Sequence, residues 1–121
     1  MNSWYHAVSS AKKWGGQPEH YVTIHEFIDS SKKFIGDVRH RSIYHHTEGI
    51  WLCQMIFGHT IDLPEGKQVP VRLVAERHII EDLGWIPSPA DYIRDMPIQV
   101  WMSGKKTKTV PLETLGATTP S

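Results

Sequence analysis

The longest stretch in which apolar residues recur at helical spacing runs from Asp37 to Gly58. Asp37 suits a helix N-cap, and Gly58 suits the left-handed position that ends a helix. Between them, one face of a helix would carry a wide, mostly apolar stripe, because its members recur at helical spacing. The stripe consists of Ile43, His46, Ile50, Cys53 and Phe57, with Val38, His45, Leu52 and Ile56 beside it. The pattern predicts one long helix over residues 37–58, with close approach of another element at Gly49.

The segment before this helix predicts a second helix over residues 18–35. Pro18 suits a first helical position, and apolar residues recur at helical spacing as far as Ile35. Since Gly36 alone separates the two helices, we expect an antiparallel helical hairpin. Residues 1–16 fit either a short helix or an N-terminal arm, in which His6 would cap or pack locally.

The pattern changes after Gly58. Two short segments, residues 59–63 and 67–73, flank a turn-forming Pro-Glu-Gly sequence and predict an edge β-hairpin. Helices are then expected over residues 74–83 and 89–96, followed by a short closing strand at residues 98–101. The prediction is a mostly α domain with a small β-hairpin (α+β) over residues 1–102. Residues 103–121, rich in Ser, Gly, Lys and Thr, read as a flexible tail.

Composition narrows the class of protein. The chain has 121 residues, of which 40% are hydrophobic, and this suits one modest core. Lys plus Arg and Asp plus Glu both number 13, so no net charge favours nucleic acid or a membrane surface. The single cysteine excludes an internal disulfide and a cysteine-rich zinc site. No segment approaches the ~18 apolar residues that cross a bilayer, and a cytoplasmic location is the default expectation.

The eight histidines are many for a chain of this length, and they are the most informative feature of its composition. Three predicted helices each place a histidine three or four residues before a carboxylate, on the same helical surface. The pairs are His25 with Asp29, His45 with Glu48, and His78 with Asp82. For each pair alone, a core histidine bonded to a local acceptor explains the residues as well as a ligand does. Three pairs in one small domain could meet at a common centre.

Neutral imidazole and carboxylate ligands suit zinc, iron, manganese or nickel. The leading interpretation is therefore a metal-binding protein, with a metal-dependent hydrolase as its extension, because a bound ion lowers the pKa of water to about 7. The candidate ligands or supporting residues are His25, His45, His46, His78, Asp29, Glu48 and Asp82. No catalytic residue is assigned.

Two alternatives need no metal. The first is a cationic pocket for a nucleotide or other small anion, since arginine forks bind phosphate and carboxylate groups. Its candidate residues are Arg39, His40, Arg41, Arg72 and Arg77. Against it, Arg39 and Arg41 would simply pair with nearby acids at the surface. The second alternative is a protein-interaction module, or a homo-oligomer, anchored by exposed tryptophans such as Trp51, Trp85 and Trp101.

Short segments spread over most of the chain resemble a family of small bacterial and phage proteins known only as a domain of unknown function. The resemblance runs from about His6 to Met102 and leaves out the tail. It is carried by segments 6–10, 14–16, 24–25, 29–32, 39–41, 45–46, 48–50, 69–72, 76–78 and 81–84. It implies a bacterial or phage origin and a cytoplasmic location, and it brings no activity, ligand or assigned site.

Overall fold

The computed structural model describes residues 1–106, and its fold is a small, mostly helical α+β domain, as the sequence predicts. The α-helices are α1 (Ser3–Trp14), α2 (Val22–Ile28), α3 (Arg41–Tyr44), α4 (Thr47–Phe57), α5 (Val71–Leu83) and α6 (Pro89–Ile93). The strands are β1 (Thr60–Asp62) and β2 (Gln68–Pro70). Short 3-10 turns cover Pro18–His20, Ser30–Lys33, Val38–His40 and Val100–Ser103. Most of the predicted tail, residues 107–121, lies outside the described residues.

The N-terminal segment is a helix rather than an arm. The side chain of Asn2 accepts a hydrogen bond from the backbone N–H of Tyr5 at 3.0 Å, and this bond satisfies one of the free donors of the first turn. The helix ends at Gly15, whose φ of 95° other residues rarely adopt. Helix α1 buries His6, Ala7 and Ser10, so it brings polar as well as apolar side chains to the interior.

The prediction of one continuous helix over residues 37–58 is wrong. The helix breaks at His45 and His46, where His46 is extended and its ring accepts a hydrogen bond from the N–H of Gly49 at 3.2 Å. His46 is thus the N-cap of a new helix, α4. A Cβ at Gly49 would lie 1.8 Å from the carbonyl oxygen of Tyr44, so only glycine allows the chain to turn this closely on itself. The close approach predicted at Gly49 is made by its own segment.

Other element boundaries also differ from the prediction. The helix expected over residues 18–35 is divided into α2 and two flanking 3-10 turns. Helix α5 starts at Val71, three residues before the predicted start, because Pro70 can precede a helix as its cap residue. The strand expected at residues 98–101 is a 3-10 turn from Val100. Ile98 is 87% exposed, so it has no buried face against which a strand could pack.

The hairpin has the predicted antiparallel pairing, with Ile61 opposite Val69. Val69 and the neighbouring Leu63 are buried, so the hairpin closes one end of the apolar core. Helix α5 lies at the centre of the domain and packs against α1, α2 and α4. The apolar core consists of Ala7, Tyr21, Ile24, Ile28, Ile50, Cys53, Leu63, Val69, Val71, Val74, Ala75 and Ile79.

The interior also has a polar part. Six of the eight histidines are buried: His6, His25, His40, His45, His46 and His78. Asp29, Ser10 and Ser31 are buried with them. Since a buried polar group without a partner costs about 1–3 kcal/mol, the bonding of these side chains decides whether the fold is stable.

Candidate metal centre

Four side chains from three parts of the fold bring their ligand atoms together in the interior. Each contributes one atom, and all four atoms lie within 4.8 Å of one another. The residues are Asp29, His45, His78 and Asp82. Asp29 follows the last turn of α2, His45 lies at the break between α3 and α4, and the other two are one turn apart on α5. The helix break therefore helps to form the cluster, because it places His45 at a junction rather than inside a helix.

The distances within the cluster are short and regular. Nε2 of His78 lies 3.2 Å from Oδ1 of Asp29 and 3.3 Å from Oδ2 of Asp82. Nε2 of His45 lies 3.0 Å from Oδ2 of Asp82 and 3.4 Å from Oδ1 of Asp29. A tetrahedral ion with ligand bonds of about 2.0–2.1 Å separates its ligand atoms by about 3.3 Å. The four measured edges therefore suit an ion at the centre of the cluster.

Water is almost excluded from these four residues. The exposed fraction is 0% for both histidine side chains, 7% for Asp29 and 3% for Asp82. Burial alone would raise the pKa of both aspartates, but hydrogen bonds from His45 and His78 outweigh it and bring both pKa values below their ordinary range. Burial lowers the pKa of His45, and the hydrogen bonds to Asp29 and Asp82 outweigh it and raise that pKa. The pair of carboxylates thus favours positive charge between them.

His25 lies behind the cluster rather than in it. Its Nδ1 is 2.8 Å from Nδ1 of His78, and its Nε2 is 2.9 Å from the hydroxyl oxygen of Ser10. Burial, followed by the charges of His78 and His6, lowers the pKa of His25 to about 2, so the ring is neutral. The sequence predicts His25 as a ligand beside Asp29. In the structure, His25 instead contacts Nδ1 of His78, the ring nitrogen of His78 that does not face the cluster.

His6 is the residue that the sequence analysis missed. Its Nδ1 lies 2.8 Å from Oε1 of Glu81, its Nε2 lies 3.1 Å from Oδ1 of Asp82, and its ring stacks on His78 with 3.8 Å between centroids. The expectation that His6 caps or packs locally is therefore wrong. The available signal was weak: His6 and Ser10 are four residues apart, on one face of a segment that itself was ambiguous.

A second group of buried side chains has the spacing of a metal site, namely His6, His25 and His78. It contains no carboxylate, so it offers a divalent ion no compensating negative charge. Both nitrogens of His6 are already bonded to carboxylates. The cluster with two aspartates is chemically the better candidate.

Besides His25, two further predicted ligands lie outside the cluster. His46 uses its ring to cap α4, and Glu48 is exposed in the first turn of that helix. The expected pairing of His45 with Glu48 does not occur, because the helix breaks between these two residues and they no longer share one helical surface. His40 lies closer, with its ring centroid 5.6 Å from that of His45. Its Nδ1 donates to the carbonyl oxygen of Asp37 at 2.8 Å.

Three of the four arginines predicted for the alternative anion pocket pair with acids in separate places. Arg39 forms a surface ion pair with Asp37 at 2.7 Å, as the simpler interpretation of that residue expects. Arg72 pairs with Glu76 on the outside of α5. Arg77 donates to Ser9 and lies 3.5 Å from Glu81. Arg41 differs from these three: among the described residues it forms no ion pair, and its Nε is buried without a hydrogen-bond partner. Anion binding stays a prediction.

Trp51, Trp85 and Trp101 are each a little over half exposed. They are therefore available at the surface, and an interaction or oligomer role for them stays a prediction. Among the described residues, no helix is long and apolar enough to cross a membrane.

A family model described as "Domain of unknown function (DUF6915)" matches residues 1–102. The chain belongs to the DUF6915 family. This confirms the resemblance seen in the sequence to a family without an assigned function. No curated protein and no solved structure matches the chain. All four cluster residues, together with His6, Ser10 and His25, lie within the DUF6915 match. A function must therefore be argued from the chemistry of the cluster.

Proposed function

We propose that this protein binds one divalent transition-metal ion through Asp29, His45, His78 and Asp82. The observation that carries the proposal is the set of N···O separations of 3.0–3.4 Å between two imidazole nitrogens and two carboxylate oxygens. These four of the six ligand–ligand separations match the roughly 3.3 Å edges of a tetrahedral site, and the other two lie within 4.8 Å. The two carboxylate charges balance those of a divalent cation, and this balance lowers the free-energy cost of burying the ion.

Two nitrogen and two oxygen ligands favour an ion of intermediate softness. Zinc accepts this set in tetrahedral geometry and is the first choice, while iron, manganese and nickel also bind imidazole and carboxylate. Cys53 is buried in the apolar core and lies in neither group of potential ligands, so no thiolate enters the donor set.

The ion would act chiefly as a cross-link. Structural zinc sites are closed, whereas catalytic sites keep a position open to water. The burial of all four side chains corresponds to a closed site. The ion would tie the end of α2 and the α3–α4 junction to α5. Hydrolysis would require water and a substrate to reach the ion, and the four buried side chains leave no open position for them. The predicted hydrolase activity is therefore not part of this proposal.

Elemental analysis of protein purified without an affinity tag tests the proposal. We expect one ion per chain, which a chelator removes and added zinc restores. His78→Ala and Asp82→Asn should each bind less than a tenth of an ion under the same conditions. His59→Ala is the matched control, because His59 is an exposed histidine that belongs to neither group of potential ligands.

A wild-type protein that contains metal well below one ion per chain, and that zinc, iron, manganese and nickel all fail to load, would overturn the proposal. A thermal-shift panel of nucleotides in chelator then tests the anion alternative, which requires stabilisation that Arg39→Ala abolishes. The cytoplasmic location, the bacterial or phage origin and a homo-oligomeric state stay predictions from the sequence.

A further inference from the structure

A buried chain of hydrogen bonds extends from the metal centre toward α1. Nδ1 of His78 lies 2.8 Å from Nδ1 of His25, and Nε2 of His25 lies 2.9 Å from the hydroxyl oxygen of Ser10. The same hydroxyl lies 3.1 Å from the carbonyl oxygen of His6. The side chains of Ser10, His25 and His78 are completely buried, so water does not compete for these bonds.

The chain has one direction that suits an occupied site. A ligand nitrogen must present a lone pair, so His78 bound through Nε2 carries its proton on Nδ1. That N–H donates to Nδ1 of His25, whose own proton is then on Nε2 and donates to Ser10. The Ser10 hydroxyl completes the chain by donating to the carbonyl oxygen of His6. Within this chain of Ser10, His25 and His78, every donor has an acceptor.

The opposite direction suits an empty site equally well. Nε2 of His78 then carries the proton and donates to Oδ1 of Asp29, 3.2 Å away. Nδ1 of His78 accepts from His25, and Nε2 of His25 accepts from Ser10. The hydroxyl of Ser10 can rotate between its two acceptors, since hydroxyl hydrogens turn to suit their surroundings. Each residue carries one exchangeable proton in both arrangements, so the reversal leaves the proton count of the chain unchanged.

We propose that Ser10 and His25 are positioning residues that hold His78 in its metal-binding tautomer, and that the chain reverses its direction when the ion enters. This inference rests on the proposed function. A histidine at position 25 is suited to this role because a neutral imidazole exchanges donor and acceptor atoms without moving.

Nitrogen-15 NMR of the histidine rings in the wild-type protein is the decisive measurement. The spectra are recorded at pH 7.5 in a chelator and again with one equivalent of zinc. We expect His25 to change from the Nδ1–H to the Nε2–H tautomer, and His78 to carry its proton on Nδ1 in the zinc form. A His25 tautomer that is the same in both spectra would overturn the inference, even if zinc binds as proposed.

Zinc affinities of three variants test the same idea independently. His25→Leu removes the acceptor of the His78 N–H, and loss of such an outer partner weakens metal binding about 10–100-fold. His25→Gln retains an amide oxygen that can accept the same bond, so its affinity should stay within about threefold of wild type. Ser10→Ala should weaken binding in the same direction as His25→Leu, because it leaves the His25 N–H unpaired.

The outcomes separate the two proposals. If the wild type takes up no metal, the proposed function fails. If the wild type binds zinc and a folded His25→Leu binds it equally tightly, only the positioning role fails. If His25→Leu does not fold, the comparison of His25→Gln with Ser10→Ala and the wild-type spectra still decide the question. His59→Ala should match the wild type in every assay.

Discussion

The carboxylate of Asp82 lies between two histidines from different parts of the fold. Its Oδ1 is 3.1 Å from Nε2 of His6 on α1, and its Oδ2 is 3.0 Å from Nε2 of His45 at the α3–α4 junction. One side chain of α5 therefore joins the N-terminal helix to the helix break. Without an ion, this carboxylate balances whatever positive charge the two rings carry.

Replacing Asp82 by Asn should destabilise the metal-free protein severely. Removal of one partner of a buried ionic network typically costs about 3–5 kcal/mol, because the remaining groups stay buried without compensation. The free energy of unfolding, measured in urea with a chelator present, tests this expectation. Glu48→Gln, at an exposed acid outside the cluster, should change the free energy by less than about 0.5 kcal/mol. A loss below 1 kcal/mol for Asp82→Asn would contradict the network.

The stability of the metal-free protein should decline on both sides of a mildly acidic optimum. The pKa values of Asp29 and Asp82 lie below the ordinary value of 3.8, so their contribution is present above pH 3.8 and is lost as the pH falls from there. The pKa values of His6 and His45 lie above 6.5, so their contribution is present below pH 6.5 and is lost as the pH rises through the folded-state values.

The pKa of His25 lies below 6.5, at about 2, so the stability gained by burying its neutral ring is lost as the pH falls below 6.5. Melting temperatures between pH 3 and pH 9 in a chelator measure this profile, which should be highest near pH 6.5. Added zinc should counteract the alkaline decline, because zinc competes with the proton on His45 and binds more tightly as that proton leaves. The zinc-dependent rise in melting temperature should therefore be larger at pH 8 than at pH 6. A rise that is independent of pH would argue that no histidine binds the ion.

Gly49→Ala should disturb the metal centre from outside it. The new Cβ would lie 1.8 Å from the carbonyl oxygen of Tyr44, and the chain at the α3–α4 break would have to move. We expect a loss of about 1–3 kcal/mol in unfolding free energy, as for other overpacked sites, together with weaker zinc binding because His45 shifts. Gly36→Ala is the control, since nothing lies within 4 Å of its Cβ position. Equal zinc affinities for the two variants would contradict this link.

Cys53 should be chemically inert in the folded protein. It is completely buried in the apolar core, and burial raises the pKa of its thiol to about 12. Since the thiolate is the reactive form, a thiol reagent at pH 8 should modify Cys53 only after unfolding. Cys53→Ala should keep one zinc per chain, although the cavity lowers its stability. Rapid labelling of the native protein would show that this part of the core opens readily.

The local pattern of the sequence predicts much of the fold and part of the cluster. Spacing correctly places His78 and Asp82 one turn apart on a helix, because this relationship depends on a single element. It cannot show that His25 bonds to Ser10 and His78 rather than to Asp29, since those contacts form only when α1, α2 and α5 pack together. The sequence therefore identifies Asp29, His45, His78 and Asp82 as candidates, whereas His6 and the partners of His25 become evident only in the tertiary structure.

The break at His45 shows why apolar spacing at the helical period predicted one helix where the structure has two. The apolar spacing of the sequence continues through the break, although the burial does not: α3 packs only the partly buried Tyr44 against the core, whereas α4 buries Ile50 and Cys53. Periodicity records where apolar residues recur, and it does not record whether the backbone between them is one continuous helix. The decisive detail, a glycine without room for a Cβ beside Tyr44, depends on the folded backbone.

The proposed ligands are far apart along the chain: Asp29 and His78 are 49 positions apart, and His45 and Asp82 are 37. A growing polypeptide cannot offer a complete set of ligands until α5 has been synthesised and docked. An ion would thus enter late and would retard unfolding more than it accelerates folding. Its departure would require α5 to separate from its neighbours, so the lifetime of the bound ion would report how often the whole domain opens.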